Sequence, residues 1–106
     1  MIAVHAMYER RSAGDRFDMD YLRRTRIPFV RDVLRPYGLI DIEVHAGVAG
    51  VPDGTPAKYC CVIVLRFETL EGFRRAFREE AARMNPGILE FTNIVPIVDV
   101  TEVVPA

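Results

Sequence analysis

The sequence predicts an α+β fold of the split βαβ, ferredoxin-like kind: a four-stranded antiparallel βαββαβ sheet with both helices on one face, pairing with a second copy into a dimeric α+β barrel. Three observations carry this. Apolar segments run strand, helix, strand, strand, helix, strand along 106 residues, which is the order of that motif. The length matches one domain, residues 1–106, since domains run to about 100–200 residues. The strands over 2–8 and 59–67 are apolar on both faces, yet helices on one side leave the other side bare, so a second sheet must cover it. A domain this small buries only about 60–70% of its unfolded surface, which also leaves apolar side chains for an interface.

Residues 2–8, IAVHAMY, form a short β-branched and aromatic run, the first strand. The charged stretch from Glu9 to Phe17 is a loop, and Asp18 or Asp20 caps the first helix by accepting backbone N–H bonds. Leu22, Arg26, Phe29, Val30, Val33, Leu34 and Tyr37 then recur at helical spacing. Pro28 sits inside this pattern and is expected to kink or break the helix near Thr25 to Ile27. Pro36-Tyr37-Gly38 ends it. Residues 39–46 alternate, with Ile40, Ile42 and Val44 opposite Asp41, Glu43 and His45, as a half-buried strand does. Residues 47–56, GVAGVPDGTP, are a turn-rich loop. Tyr59 to Phe67 is a continuous β-rich run. Leu70, Phe73, Phe77, Ala81 and Met84 mark the second helix, with Thr69 as its N-cap and Asn85-Pro86-Gly87 as its stop. Phe91 to Val104 reads as one long strand interrupted by Pro96, which belongs on an edge or at a bulge.

Composition excludes several function classes. Half the residues are hydrophobic and 27% are charged, the balance of a globular rather than a disordered chain. The longest charge-free stretch is Val44 to Pro52, nine residues, against about 20 for a membrane span. The opening MIAVHAMYERR is not expected to be a secretory signal. Cys60 and Cys61 are neighbours that a strand points to opposite faces, so they are read as inert thiols in a reducing, cytoplasmic setting. Basic and acidic residues number 14 and 15, and a nucleic-acid binder would be basic with interleaved aromatics.

The stretch FDMDYLRRTRIPFVRDVLRPYGL (17–39), with the closing FTNIVPIVDVTEVV (91–104), resembles the EthD family, whose namesake is encoded beside a haem-monooxygenase system degrading ethyl tert-butyl ether. Met7-Tyr8 closing the first strand and Leu70-Glu71-Gly72-Phe73 opening the second helix add to the likeness. The resemblance implies a dimeric α+β barrel in a superfamily with muconolactone isomerases and cofactor-free small monooxygenases. One departure stands out. The family pattern Tyr-x-x-x-(Thr)-His-x-Pro-Leu here reads from Tyr21 through Arg26 to Phe29, with arginine in the histidine's place. Histidine exchanges protons near neutral pH, whereas arginine stays protonated and instead clamps a carboxylate or enolate through two hydrogen bonds.

Seven residues are candidates for a site. Arg26 is either a ligand clamp or an arginine snorkelling from a helix edge. Tyr8, on the face of Ile2, Val4 and Ala6, either donates to a substrate oxygen or packs with its hydroxyl in water. His5 lies on the opposite face, and a lone strand histidine is a ligand or a hydrogen-bonded interface residue. Tyr21, Phe29 and Phe91 are candidates to line a pocket. Asn93, disfavoured within a strand, either offers its amide to a ligand or caps a bulge next to Pro96. Asp41, Glu43 and His45 share a face, but their Cα atoms span about 13 Å, too far for joint metal ligation; they form a solvated face or pair with a partner's arginines. The Gly47–Gly50 stretch lacks the lysine and following helix of a phosphate loop.

No metal constellation, nucleophile triad, dinucleotide fingerprint or cofactor motif is present, so no cofactor is assigned. The leading reading is a small catabolic enzyme doing cofactor-independent oxidoreductase or isomerase chemistry on a small apolar or acidic carbonyl-bearing molecule held between sheet and helices. In it Arg26 stabilises developing negative charge and Tyr8 donates a hydrogen bond. The alternative is a non-catalytic homodimer that carries a hydrophobic metabolite or assists a partner oxygenase.

Overall fold

The computed structural model describes residues 1–106. In chain order it contains β1 (Ile2–Tyr8), α1 (Met19–Tyr21), a π-helical turn (Leu22–Arg26), α2 (Ile27–Leu34), β2 (Leu39–Ala46), β3 (Cys61–Phe67), α3 (Leu70–Met84) and β4 (Ile97–Glu102). The sheet order is β2-β3-β1-β4, with every neighbouring pair antiparallel. This is the ferredoxin-like α+β arrangement.

Register assigns the faces. Ile2 pairs with Phe67, Val4 with Leu65 and Ala6 with Ile63, so these side chains share one face of the pleat. That face is covered by the helices, and Ile2, Val4, Tyr8, Cys61, Ile63 and Phe67 are buried on it. Ala3, His5 and Met7, opposite Arg66, Val64 and Val62, lie on the other face. Ala3 and Val64 are buried there by neighbouring side chains alone. Edge strand β4 is exposed throughout, and its Val98 and Val100 share by register the face of Ala6 and Val4.

The side chain of Asp18 accepts the Tyr21 N–H and that of Thr69 accepts the Gly72 N–H, each satisfying a helix-terminal donor. Gly38 adopts a φ of 93° and turns the chain into β2, a conformation glycine takes without steric cost.

Three expectations need correction. Pro28 does not break the first helix. A proline lacks the N–H that residue 24 would have accepted, and its ring would strike that carbonyl in a regular α-helix. The chain widens one turn instead, with the Ile27 N–H bonding Leu22 O, and α2 continues beyond. Because the π turn accommodates one extra residue, Arg26 and Ile27 both face inward, whereas Phe29 is 37% exposed. Ile40 leaves the alternation because a bulge lies between Leu39 and Asp41, and it is half exposed. Asn85-Pro86-Gly87 ends α3 at Met84 as expected, and the chain continues as a 3-10 segment over Asn85–Glu90.

The last correction concerns the carboxy-terminal run. Only Ile97–Glu102 forms a strand. The preceding residues are anchored sideways to the loop after β1. The buried Thr92 hydroxyl donates to Arg16 O (2.8 Å) and accepts the Ile94 N–H (3.0 Å), and the Asp18 N–H donates to Phe91 O (2.7 Å). Pro96 falls immediately before an edge strand, as its missing N–H requires.

Candidate anion site

The π turn and the 3-10 segment after α3 bring one charged side chain into the interior. Arg26 is 8% exposed, the only charged residue of the chain that is buried. All eight ion pairs of the chain leave it out. Its guanidinium lies instead 5.6 Å from the Phe29 ring centroid and 5.9 Å from that of Phe91, within reach of both ring quadrupoles. Burial pulls its pKa below the ordinary arginine value, while the nearby Tyr8 and Tyr21 phenols act in the opposite sense. The group remains a cation through the physiological range.

Two cavities meet at this guanidinium. The inner one holds about 210 Å³ between the sheet and α3. Arg26, Tyr8 and Asn85 are its polar-tipped members; Val4, Leu65, Phe73 and Met84 are among the thirteen hydrophobic residues of its sixteen. The outer one holds about 250 Å³ and is lined by Tyr21, Thr25, Arg26, Phe29, Arg83 and Gly87. It contains two guanidinium groups and no carboxylate. A wider recess of about 470 Å³ at Arg16–Asp20 is open to solvent and includes two carboxylates, so it offers no enclosed apolar surface.

Tyr8 is 6% exposed and packs edge-on against Phe17 (5.0 Å) and Phe91 (6.3 Å). Desolvation, with a smaller contribution from Cys61, pushes its pKa up to about 12, against a small lowering by Arg26. It is therefore a neutral donor at any ordinary pH. Cys61 is fully buried and its pKa is likewise raised to about 12 by desolvation and Cys60, so it supplies no thiolate.

Of the seven residues singled out from sequence, Arg26 and Tyr8 line the inner cavity, and Tyr21 and Phe29 line the outer one with Arg26. Phe91 lines neither; 2% exposed, it packs beneath the guanidinium. His5 does not belong to this site. Register turns it to the other face of the sheet, where its Nε2 lies 3.0 Å from Thr101 Oγ1. Asn93 is not available to a ligand here either. Its Oδ1 accepts the Arg16 N–H and its Nδ2 donates to Gly14 O, both at 2.9 Å, so its amide fastens a loop. Asp41 and Glu43 do pair with an arginine, but it is Arg66 of the same chain, across the β2–β3 register. Arg83 and Gly87 escaped sequence reasoning: the first reads as a solvated helix terminus, the second as part of a stop signal.

No family model matches the sequence, and neither does any curated protein. Among solved structures it is similar to an EthD-like protein from Ralstonia eutropha JMP134, at 28% identity over 98% of this chain and 92% of that one, with a TM-score of 0.88. The chain is thus similar to EthD-like proteins in fold and, less closely, in sequence. An EthD family protein from Bacillus halodurans C-125 has the same fold, at 21% identity, 98% and 99% coverage and a TM-score of 0.71. An antibiotic biosynthesis monooxygenase shares it more distantly, at 14% identity, 99% and 100% coverage and a TM-score of 0.51. The buried cation stands where the EthD pattern that the sequence resembles has histidine, and an arginine there stays protonated near pH 7 and presents a planar fork of donors.

Proposed function

We propose that this EthD-like protein takes up a small apolar anion, a carboxylate, phenolate or enolate, with its negative oxygen on the Arg26 guanidinium and its hydrocarbon part in the inner cavity. The observation that carries the reading is a buried cation without an anionic partner at the end of an apolar cavity. Leaving a charge buried and unpaired is costly, and an anionic ligand would offset that cost while gaining charge-assisted hydrogen bonds. A cavity of about 210 Å³ lies below the roughly 300–1,000 Å³ of drug-sized sites, which favours a molecule of about one ring.

The chemistry that fits is cofactor-independent turnover of a carbonyl-bearing substrate through its enolate, either isomerisation or an oxidoreductase reaction in which dioxygen takes the electrons. Arg26 and the Tyr8 hydroxyl would hold the negative charge as it develops on oxygen. Neither group is a base near neutrality, and the inner cavity contains no carboxylate or histidine. The substrate must then be acidic enough to ionise without an enzymatic base. That same lack of a base favours the second reading, a carrier that holds the anion without turning it over. In either case a second copy would cover the exposed sheet face, making a homodimer.

Calorimetric titration with benzoate, and with neutral benzamide of the same shape, tests the anion site. Benzoate should bind and benzamide should not. Arg26→Met should lower benzoate affinity about 10- to 100-fold, the worth of one or two charged hydrogen bonds. Equal binding of the two probes, or undiminished benzoate binding by the variant, would refute the assignment.

A further inference from the structure

We infer that Gly87 is a positioning residue whose missing side chain lets the Arg26 guanidinium stand between the two cavities; the inference rests on Arg26 being the anion donor. The backbone does not explain this glycine. Only Gly38 and Gly54 have positive φ values, so an alanine could adopt the conformation at position 87. Space explains it. A β carbon added at Gly87 would lie 2.7 Å from Arg26 Nη1 and 3.8 Å from Arg26 Cζ, and no other atom outside the adjoining chain comes within 4 Å. The guanidinium thus rests directly on the 3-10 segment, with the Phe29 and Phe91 rings also beside it.

The identity of the colliding atoms decides which part yields on substitution. Nη1 is the far end of a flexible side chain with a cavity on either hand, so a methyl group at position 87 re-aims the guanidinium rather than unfolding the segment. The fork that would accept a carboxylate through two parallel bonds then loses its alignment, and such bonds depend on geometry as much as on charge. Lysine at position 26 has no planar fork and no Nη1 atom, so it is indifferent to the extra methyl group.

The test is a double-mutant cycle on the full chain with benzoate as the probe, together with a readout that needs no ligand. Gly87→Ala should weaken benzoate binding on the order of tenfold in the Arg26 protein and leave it within about twofold in the Arg26→Lys protein. Its thermal midpoint should be unchanged or slightly higher, because alanine restricts the unfolded chain more than glycine does. In ligand-free protein the Arg26 Nε–Hε resonance, assigned by its loss in Arg26→Lys, is shielded by the Phe29 and Phe91 rings and should shift in Gly87→Ala. If the wild-type protein binds no benzoate, the anion-site reading fails while the resonance still decides the positioning claim. An unmoved resonance overturns it. So does equal weakening in the arginine and lysine backgrounds.

Discussion

The two halves of the interior are built from equal numbers of buried residues and differ in what those residues carry. One cluster joins Ile2, Val4, Val30, Val33, Leu34, Phe67 and Ala76; every atom beyond the backbone is hydrocarbon. The other joins Tyr8, Leu22, Ile27, Cys61, Ile63, Phe91 and Ile94, and against it lies the Arg26 guanidinium. The first half pins α2 and α3 to the sheet. In the second, a phenol and a cation are largely desolvated with no anion to meet them, their polar tips reaching only the cavities. The polar groups thus lie in one half, while the first half supplies much of the inner cavity's apolar wall through Val4, Leu34, Phe67 and Ala76. Removing a side chain from the first half should cost folding free energy, whereas removing the charge from the second should cost binding alone.

The largest effect expected of a single substitution tests that separation directly. Phe67 is fully buried and stacks edge-on with Phe73 at 5.6 Å, so Phe67→Ala should destabilise the protein by about 3–5 kcal/mol in urea unfolding. Arg26→Met exchanges a desolvated cation for an apolar chain of similar reach, and its unfolding free energy should equal or exceed that of the wild type. If Arg26→Met were as destabilising as Phe67→Ala, the guanidinium would be a structural element and the two halves would not differ in kind.

The boundary between the halves and the surface is held by polar groups, and Thr92 is the sharpest case. Its hydroxyl, fully buried, donates to Arg16 O and accepts from Ile94 N. Thr92→Val keeps the shape and strands both partners, which should cost about 1–3 kcal/mol. Proteolysis should reveal the loop of residues 9–17 loosening while α2 and α3 stay protected. Uniform loss of protection would mean that this loop unfolds only with the whole molecule.

Legibility in the sequence tracks the same division. Strand and helix order, the Asp18 and Thr69 caps and most of each apolar stripe were readable, because alternation, periodicity and cap chemistry are local, whereas Phe29, Ile40 and Phe77 are exposed. Arg26 and Tyr8 were each readable as candidates, one on or beside a core-facing helical stripe and the other ending a strand, and only the fold puts both on one cavity. What escaped depends on contacts distant in sequence. The run from Phe91 to Pro96 has the composition of a strand, yet Thr92 and Asn93 bond the segment around Arg16. The α3 stripe of Phe73, Phe77, Ala81 and Met84 reads as core, and the structure uses it as a cavity wall. Gly87 looks like punctuation, and only the position of Arg26 gives it a reason.

The smallest expected effect concerns Tyr8, whose hydroxyl belongs chemically to the second half and geometrically to its edge. The residue is buried, but its hydroxyl makes no hydrogen bond within the chain and is not sealed in, since Tyr8 lines the inner cavity. Tyr8→Phe should therefore leave stability at neutral pH nearly unchanged and lower benzoate affinity only about 2- to 10-fold, the worth of one neutral hydrogen bond. Its signature should appear in alkali. The folded-state pKa is raised from 10.0 to about 12, so the stability linked to this proton is fully present below pH 10 and is lost as the pH rises towards 12. Across that interval the unfolded chain releases a proton that the folded chain keeps, and the wild-type unfolding free energy should fall with a slope steeper by about 1.4 kcal/mol per pH unit than that of Tyr8→Phe. Urea unfolding of both proteins at half-unit pH steps would measure the difference. Parallel slopes would mean that the phenol ionises as freely in the folded chain as in water, and the interior around Arg26 would then be wetter than an apolar cavity allows.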